Sequence, residues 1–193
     1  MKKRLLTFIV LASIIPQTIA YNDYDLSAAN FLAKEKIIKD WSNQPEKFEL
    51  NNNITRREML KVMINLSGLK VENKCDGNFK DLTSSDWSCK YAEKALKASF
   101  IAANENFRPN DNITKIESLK LIMQAKYLAK SNAKDWRKGY VEAADKAGIL
   151  NESFDDYDTL ATRAWIFDIG ANTYNNFVSD EEEIKNIIDE FSE

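Results

Sequence analysis

Three short stretches of the chain set a threonine directly before a cation: Thr55-Arg56-Arg57-Glu58, Thr114-Lys115-Ile116-Glu117 and Thr162-Arg163-Ala164-Trp165. In the first two the threonine is followed three residues later by glutamate. That is the capping-box spacing, in which the threonine side chain and the glutamate satisfy each other's end of a new helix. The third keeps Thr162 but has Trp165 in place of the glutamate, so its cap is incomplete. Capping explains Thr55, Thr114 and Thr162, but it does not explain Arg56, Lys115 and Arg163. A cation in the first turn opposes the helix dipole by a few tenths of a kcal/mol. Placing one there three times points to a use. Free amides and a fixed guanidinium at a helix start can receive an anion. Arginine meets a carboxylate or phosphate with two parallel bonds, whereas lysine is a point charge. Arg56 and Arg163 are therefore expected to bind better than Lys115. The other reading is a solvated side chain paired with a loop carboxylate, such as Asp111 beside Lys115. On the residues alone both stay open.

Other chemistries are restricted by composition. The 193 residues include no histidine, which removes histidine triads, imidazole bases and HExxH zinc sites. Neither GxGxxG nor GxxxxGK[ST] occurs, and the formal charge of -3 is not that of a polybasic nucleic-acid binder. Catalysis would fall to paired carboxylates, as in glycoside hydrolysis, and no such constellation is recognisable. Asp155-Asp156-Tyr157-Asp158 lacks the glycine and final glutamate of a calcium loop and reads as a solvated turn. The expectation is a protein that is not an enzyme and uses no cofactor and no metal.

The elements that would position these helix starts recur with them. Five Gly and three Pro in the whole chain argue for helices over tight hairpins. Counted from each threonine, positions five, eight and nine later are Leu60, Met63 and Ile64, then Leu119, Ile122 and Met123, then Phe167, Gly170 and Ala171. This is one face of a helix. The third set is smaller and predicts closer packing. Upstream of each lies a second helical stretch, over 28–38, 91–101 and 140–150, preceded at matching offset by Tyr24, Trp87 and Trp136. A polar loop holding Phe48, Phe107 or Phe154 joins the two helices. One helix–loop–helix unit cannot bury its apolar face alone, so three should pack together.

The ends and the cysteines carry other signals. Lys2, Lys3 and Arg4, an apolar run from Leu5 to Ile15 and a small-residue cut after Ala20 form the three parts of a secretory signal peptide, predicted over 1–20. The run is short of the ~20 residues of a membrane span, so no span is expected after cleavage. In an exported chain Cys75 and Cys89, 14 apart, read as a disulfide. Over 179–193, Ile184, Ile187, Ile188 and Phe191 follow a Ser179 cap and predict an acidic amphipathic helix. That helix either closes the domain or docks a protein partner.

Further residues extend the pattern. Phe79-Lys80-Asp81, then Trp87, then Phe107-Arg108-Pro109-Asn110-Asp111-Asn112-Ile113-Thr114 resembles the S-layer homology (SLH) domain, with its Phe-x-Asp opening and its Phe-x-Pro approach to a Thr-Arg-Ala-Glu motif. Thr55-Arg56-Arg57-Glu58 and Thr162-Arg163-Ala164-Trp165 each match three of the four motif residues. The resemblance covers three tandem copies, over 24–69, 79–130 and 135–176. It implies an all-α fold, with three helix–loop–helix repeats packed as a pseudo-threefold unit and the C-terminal helix added. It also implies a non-catalytic module at the cell wall or cell surface, S-layer-associated. Such a module would bind wall polysaccharide or another peptidoglycan-linked polymer, often bearing pyruvate ketals, and no nucleic acid. The motif arginine meets the anionic sugar, a role that falls on Arg56 and Arg163, with Lys115 a substitution. Trp87, Trp136, Tyr24 and Trp165 are candidates for the aromatic face a sugar ring needs, or else anchor the first helices in the core. The alternative function is a secreted structural or partner-binding protein that keeps the fold and has lost the sugar site.

Overall fold

A computed structural model describes residues 23–174. The expected signal peptide over 1–20 and the expected acidic helix over 179–193 lie outside the described residues. The fold is all-α. Its helices are α1 (Asp23–Lys34), α2 (Arg56–Leu66), α3 (Cys89–Lys97), α4 (Lys115–Ala125), α5 (Trp136–Lys146) and a run over 163–174, here α6. A short 3-10 turn spans Pro45–Phe48. Among the described residues there is no β-strand, only three isolated antiparallel bridges. No described helix is long and apolar enough to cross a membrane.

The expected 28–38, 91–101 and 140–150 helices each end about four residues early. Lys36, Ser99 and Gly148 adopt positive φ of 61°, 61° and 66°. At each, the amide one residue later bonds back five positions: Ile37 to Leu32, Phe100 to Ala95 and Ile149 to Ala144, all at 2.9 Å. The left-handed residue's own amide bonds back three, to Ala33, Leu96 and Asp145, each at 3.0 Å. This is the Schellman termination. It turns the chain so that Ile37, Phe100 and Ile149 enter the core as loop residues. The sequence betrayed it only at Gly148, because lysine and serine carry no signal for positive φ.

Helices α2, α4 and α6 supply the centre. Leu60, Met63, Ile64, Leu119, Ile122, Met123, Phe167 and Ala171 are all buried. At Gly170 an added Cβ would meet Leu32 Cδ1 at 3.3 Å and Leu66 Cδ1 at 3.5 Å, which is the closer packing expected there. Helix α2 packs on α3 and α4, and α4 on α5.

The residues just before the three threonines meet one another. The Ile54 amide donates to the Ala161 carbonyl (3.0 Å), Ala161 to Ile113 (2.9 Å) and Ile113 back to Ile54 (3.3 Å). The three bonds close a ring, and all three residues are buried. A second ring surrounds it, in which the amides of Arg56, Lys115 and Arg163 donate to the carbonyls of Asp111, Thr159 and Asn52, each at 2.9 Å. Each acceptor lies three residues before the threonine of the neighbouring segment.

Cys75 and Cys89 form a disulfide with Cα atoms 5.5 Å apart, within the usual range. The loop it closes carries Phe79, Asp81 and Trp87. Phe79 is buried against Phe107, ring centroids 5.7 Å apart. Asp81 accepts from the amides of Phe107 (2.8 Å) and Arg108 (2.6 Å), so the Phe-x-Asp opening fixes the loop ahead of α4.

Candidate functional site: three grooves between the segments

The outer amide ring corrects one expectation. The helix-start amides of Arg56, Arg57, Lys115, Arg163 and Ala164 are not free for a ligand. Beyond those of Arg56, Lys115 and Arg163, the Arg57 amide donates to Pro109 O (3.1 Å) and that of Ala164 to Leu50 O (2.9 Å). The Thr55 amide and hydroxyl both donate to the Glu58 carboxylate, at 2.9 and 2.6 Å. Thr114 is engaged by Glu117 in the same way, at 3.1 and 3.2 Å. At α6 only the hydroxyl contact remains, with the Trp165 amide donating to Thr162 Oγ1 at 3.3 Å. The three threonines thus act within their caps. The physical reason is close packing: a helix end pressed against a neighbour's loop must satisfy its amides there.

Any anion must therefore be met by side chains, and these recur at the seams. Arg163 Nε donates to Phe48 O (2.7 Å) and its Nη1 meets Glu58 at 2.9 Å. Arg56 Nε donates to Phe107 O (3.1 Å) and its Nη1 stands 3.9 Å from Glu117. Each arginine thus grips the neighbouring segment at its loop phenylalanine and its capping glutamate. The alternative of a solvated cation does not hold for them, since both side chains are less than one-fifth exposed. Burial lowers the Arg56 pKa, which the charge of Glu117 partly offsets. A guanidinium has five N–H donors, and these framework contacts use two.

Above each arginine lies a groove. The Arg163 groove, about 190 Å³, is lined by Glu58, Lys61, Lys39 and Trp87. The Arg56 groove, about 300 Å³, is lined by Glu117, Lys120 and Trp136. Lys61 Nζ stands 5.6 Å from the Trp87 ring and Lys120 Nζ 5.4 Å from the Trp136 ring, within cation–π range. Trp87 and Trp136 are 44% and 43% exposed, so they are groove walls and not core anchors. Glu58 and Glu117, Lys61 and Lys120, and the two tryptophans occupy corresponding places. The cations outnumber the carboxylate in both grooves.

The third groove differs. Lys115 lies in it, with Nζ 5.4 Å from the Trp165 ring and 5.9 Å from Phe154. The missing capping glutamate is thus replaced, seen from the neighbouring cation, by an aromatic ring. Lys115 does not turn to Asp111, which lies 3.9 Å from Arg108 instead. Asp168 takes the place of Lys61 and Lys120, and Glu152, Asp155 and Asp156 line the same groove, of about 400 Å³. The loop here is the expected turn, with Asp156 accepting from Thr159 Oγ1 at 2.7 Å and from the Asp158 amide at 3.2 Å.

Reading the sequence from the threonine missed Lys61, Lys120 and Asp168. Their signal was available: each lies six residues after its threonine, on the groove-facing turn of α2, α4 or α6.

Residues 78–117, which run through α3 to the first turn of α4, match the S-layer homology domain family. The chain is also 26% identical over 160 residues to "Exoglucanase XynX" of Acetivibrio thermocellus, covering 72% of this chain and 14% of that protein. It is 29% identical over 136 residues to "Amylopullulanase" of Thermoanaerobacterium thermosulfurigenes, covering 62% of this chain and 7% of that one. With "Endo-1,4-beta-xylanase A" of Thermoanaerobacterium saccharolyticum it shares 33% identity over 97 residues, covering 50% of this chain and 8% of the other. The chain therefore spans less than a sixth of the length of each of these relatives.

Proposed function

We propose that this protein is a non-catalytic module that attaches to cell-wall polymers at the cell surface, through the Arg163 and Arg56 grooves. The observation that carries the reading is the repetition of one side-chain set, arginine, glutamate, lysine and exposed tryptophan, at two separate seams. A carboxylate on a sugar ring fits it. The cations receive the charge and the tryptophan face receives the ring. The comparisons support the same reading. Stretches of this chain recur in proteins named exoglucanase, amylopullulanase and xylanase, which fits a task common to all three, and attachment is such a task.

All three helix–loop–helix segments would be S-layer homology repeats, two of them competent for an anionic sugar such as one bearing a pyruvate ketal. Arg56 and Arg163 would be the ligand cations, helped by Lys61, Lys120, Trp87 and Trp136. Thr55, Thr114 and Thr162 would contribute indirectly, by fixing the helix starts. Lys115 would take no part in anion binding, because carboxylates surround it. The net charge of the chain is negative, so attraction must be local to the grooves. Two grooves on one chain and many sugars on one polymer also give avidity.

Co-sedimentation with purified cell walls tests this. The arginines hold the seams together, so Lys61→Ala and Lys120→Ala are the cleaner variants. Each should weaken binding about tenfold or more, the loss of a charge-assisted contact. The double variant should leave the walls altogether, and so should the parent once mild acid has stripped the walls of polysaccharide and ketals. Undiminished binding by the folded double variant would overturn the assignment and favour a secreted partner-binding protein.

A further inference from the structure

We propose that the acidic stretch over 179–193 folds back onto the end of the bundle where α4 and α6 finish, with its apolar face seated on Tyr127 and Leu128. The argument starts from a contrast between two helix ends. Gly68 and Tyr127 each lie thirteen residues after their threonine, just past α2 and α4, and adopt positive φ of 67° and 56°. Glycine takes this conformation without strain, because it has no Cβ. A bulky aromatic residue is strained by it. Tyr127 nevertheless stands there 82% exposed, and Leu128 beside it is 36% exposed, whereas Leu69 at the corresponding place packs against the core. A turn alone has no need of an exposed ring held in a strained conformation.

Position, charge and pattern together name the occupant. Tyr174, the last described residue, stands at this face, with the Nζ of Lys126 5.6 Å from its ring and the Phe31 ring of α1 5.4 Å away. Five Cα steps lead from Tyr174 to Ser179, at most about 18 Å of extended chain. So short a tether gives an effective concentration of about millimolar, which a separate molecule seldom matches. The face is also basic. Lys34 and Lys36 flank Glu35, which accepts from the Tyr174 hydroxyl at 2.9 Å, and Lys126 and Lys130 flank the Tyr127–Leu128 pair. Lys34 and Lys126 suit the dipole of a helix end, but Lys36 and Lys130 lie beyond the helices. Among the described residues Lys34, Lys36 and Lys130 are in no ion pair. The stretch over 179–193 supplies the opposite charge, and Ile184, Ile187, Ile188 and Phe191 give it an apolar stripe at helical spacing. On that spacing Glu181, Glu183 and Glu190 flank the stripe, placed to meet lysines at the rim of the patch. The seat shares no residue with the Arg163 or Arg56 groove.

NMR and amide hydrogen exchange on the full chain test this. The Tyr127 ring protons should show nuclear Overhauser contacts to the methyl groups of Ile184, Ile187 or Ile188. Amides over 184–191 should exchange about tenfold or more slowly than in an unstructured peptide. Tyr127→Gly is the sharpest variant, because glycine suits the backbone at that position. It should remove most of the protection over 184–191 while the buried turns of α2 and α4 keep theirs. Ile187→Asp, which changes no described residue, should do the same. Lys36→Glu with Lys130→Glu should reduce the protection severalfold, and so should salt at about 1 M. An unprotected stretch in the parent would leave it open to a separate partner and overturn the proposal. Protection that survives both Tyr127→Gly and Ile187→Asp would also overturn it. So would protection that grows with protein concentration alongside a dimer in sedimentation, which would make a second copy the occupant.

Discussion

Arg163 and Glu58, 105 positions apart in the chain, meet at 2.9 Å across the seam between the last described helix and α2. The same glutamate accepts from the amide and hydroxyl of Thr55, so one carboxylate caps its own helix and anchors the neighbouring segment. Arg56 and Glu117 repeat the arrangement more loosely, at 3.9 Å. A first-turn cation is unfavourable for its own helix. Its stabilising partner lies on another one.

This relationship predicts coupling. Arg163→Ala and Glu58→Gln should each destabilise the fold by about 1–3 kcal/mol, since each leaves a partly buried charged group without its partner. The double variant should cost less than the sum of the two, which a double-mutant cycle by urea denaturation measures. Because Arg56 and Glu117 stand farther apart, their coupling energy should be the smaller. Additive losses at Arg163 and Glu58 would remove the seam role.

The odd pair, Lys115 and Trp165, predicts a conversion. Lys115→Arg with Trp165→Glu and Asp168→Lys places the residues of the other two seams at the third. On the attachment reading, this triple variant should retain more protein on purified walls than the parent, because a third anion-binding groove adds avidity. Unchanged retention by the folded triple variant would show that these residues are insufficient to define an anion groove.

The disulfide predicts a stability change with a local signature. Closing a loop of about 15 residues contributes about 3 kcal/mol in the chain-entropy model. Reduction, or Cys75→Ser with Cys89→Ser, should lower the melting temperature by roughly 6–12 °C. Trp87 lies two residues from Cys89 and walls the Arg163 groove. Loosening this loop should therefore weaken that groove before the Arg56 groove, which Trp136 walls. Identical melts with and without reductant would exclude a structural role for the bond.

Much of this was legible in the sequence because it depends on local pattern. The apolar face of α2, α4 and α6 follows from 3.6-residue periodicity, and Leu60, Leu119 and Phe167 are buried where that periodicity places them. The caps follow from Thr-x-x-Glu, and the disulfide follows from two cysteines 14 apart in a chain expected to be exported. What the sequence did not reveal depends on contacts between segments. Nothing near Arg56 in the chain indicates that its amide is taken by Asp111 O or its guanidinium by Phe107 O. The proposed anion site therefore looked like a helix end, whereas the grooves are built by side chains at a seam. The early ends of the first helices were hidden for another reason. Lys36 and Ser99 adopt positive φ under tertiary packing, against their own preference.

Asp168 predicts a pH dependence of opposite sign to ordinary acid denaturation. Burial first, and Asp25 second, raise its pKa from 3.8 to about 7 in the folded protein. Between about pH 4 and 7 the native state holds a proton that the unfolded chain has released. Stability from this group is therefore greatest near pH 4, falls as pH rises toward 7, and stays at its lower value above that. The cost at pH 8 is on the order of 2–4 kcal/mol for a shift of this size. The carboxyls of Asp135 and Asp156, whose pKa values are lowered by hydrogen bonds, act the other way, and they do so below pH 4. The two windows do not overlap. Asp168→Asn should raise stability at pH 8 by that amount and leave it nearly unchanged at pH 4.5, as measured by urea denaturation at pH 4.5, 6 and 8. Parallel stability profiles for parent and variant across this range would mean that Asp168 titrates as an ordinary exposed carboxyl.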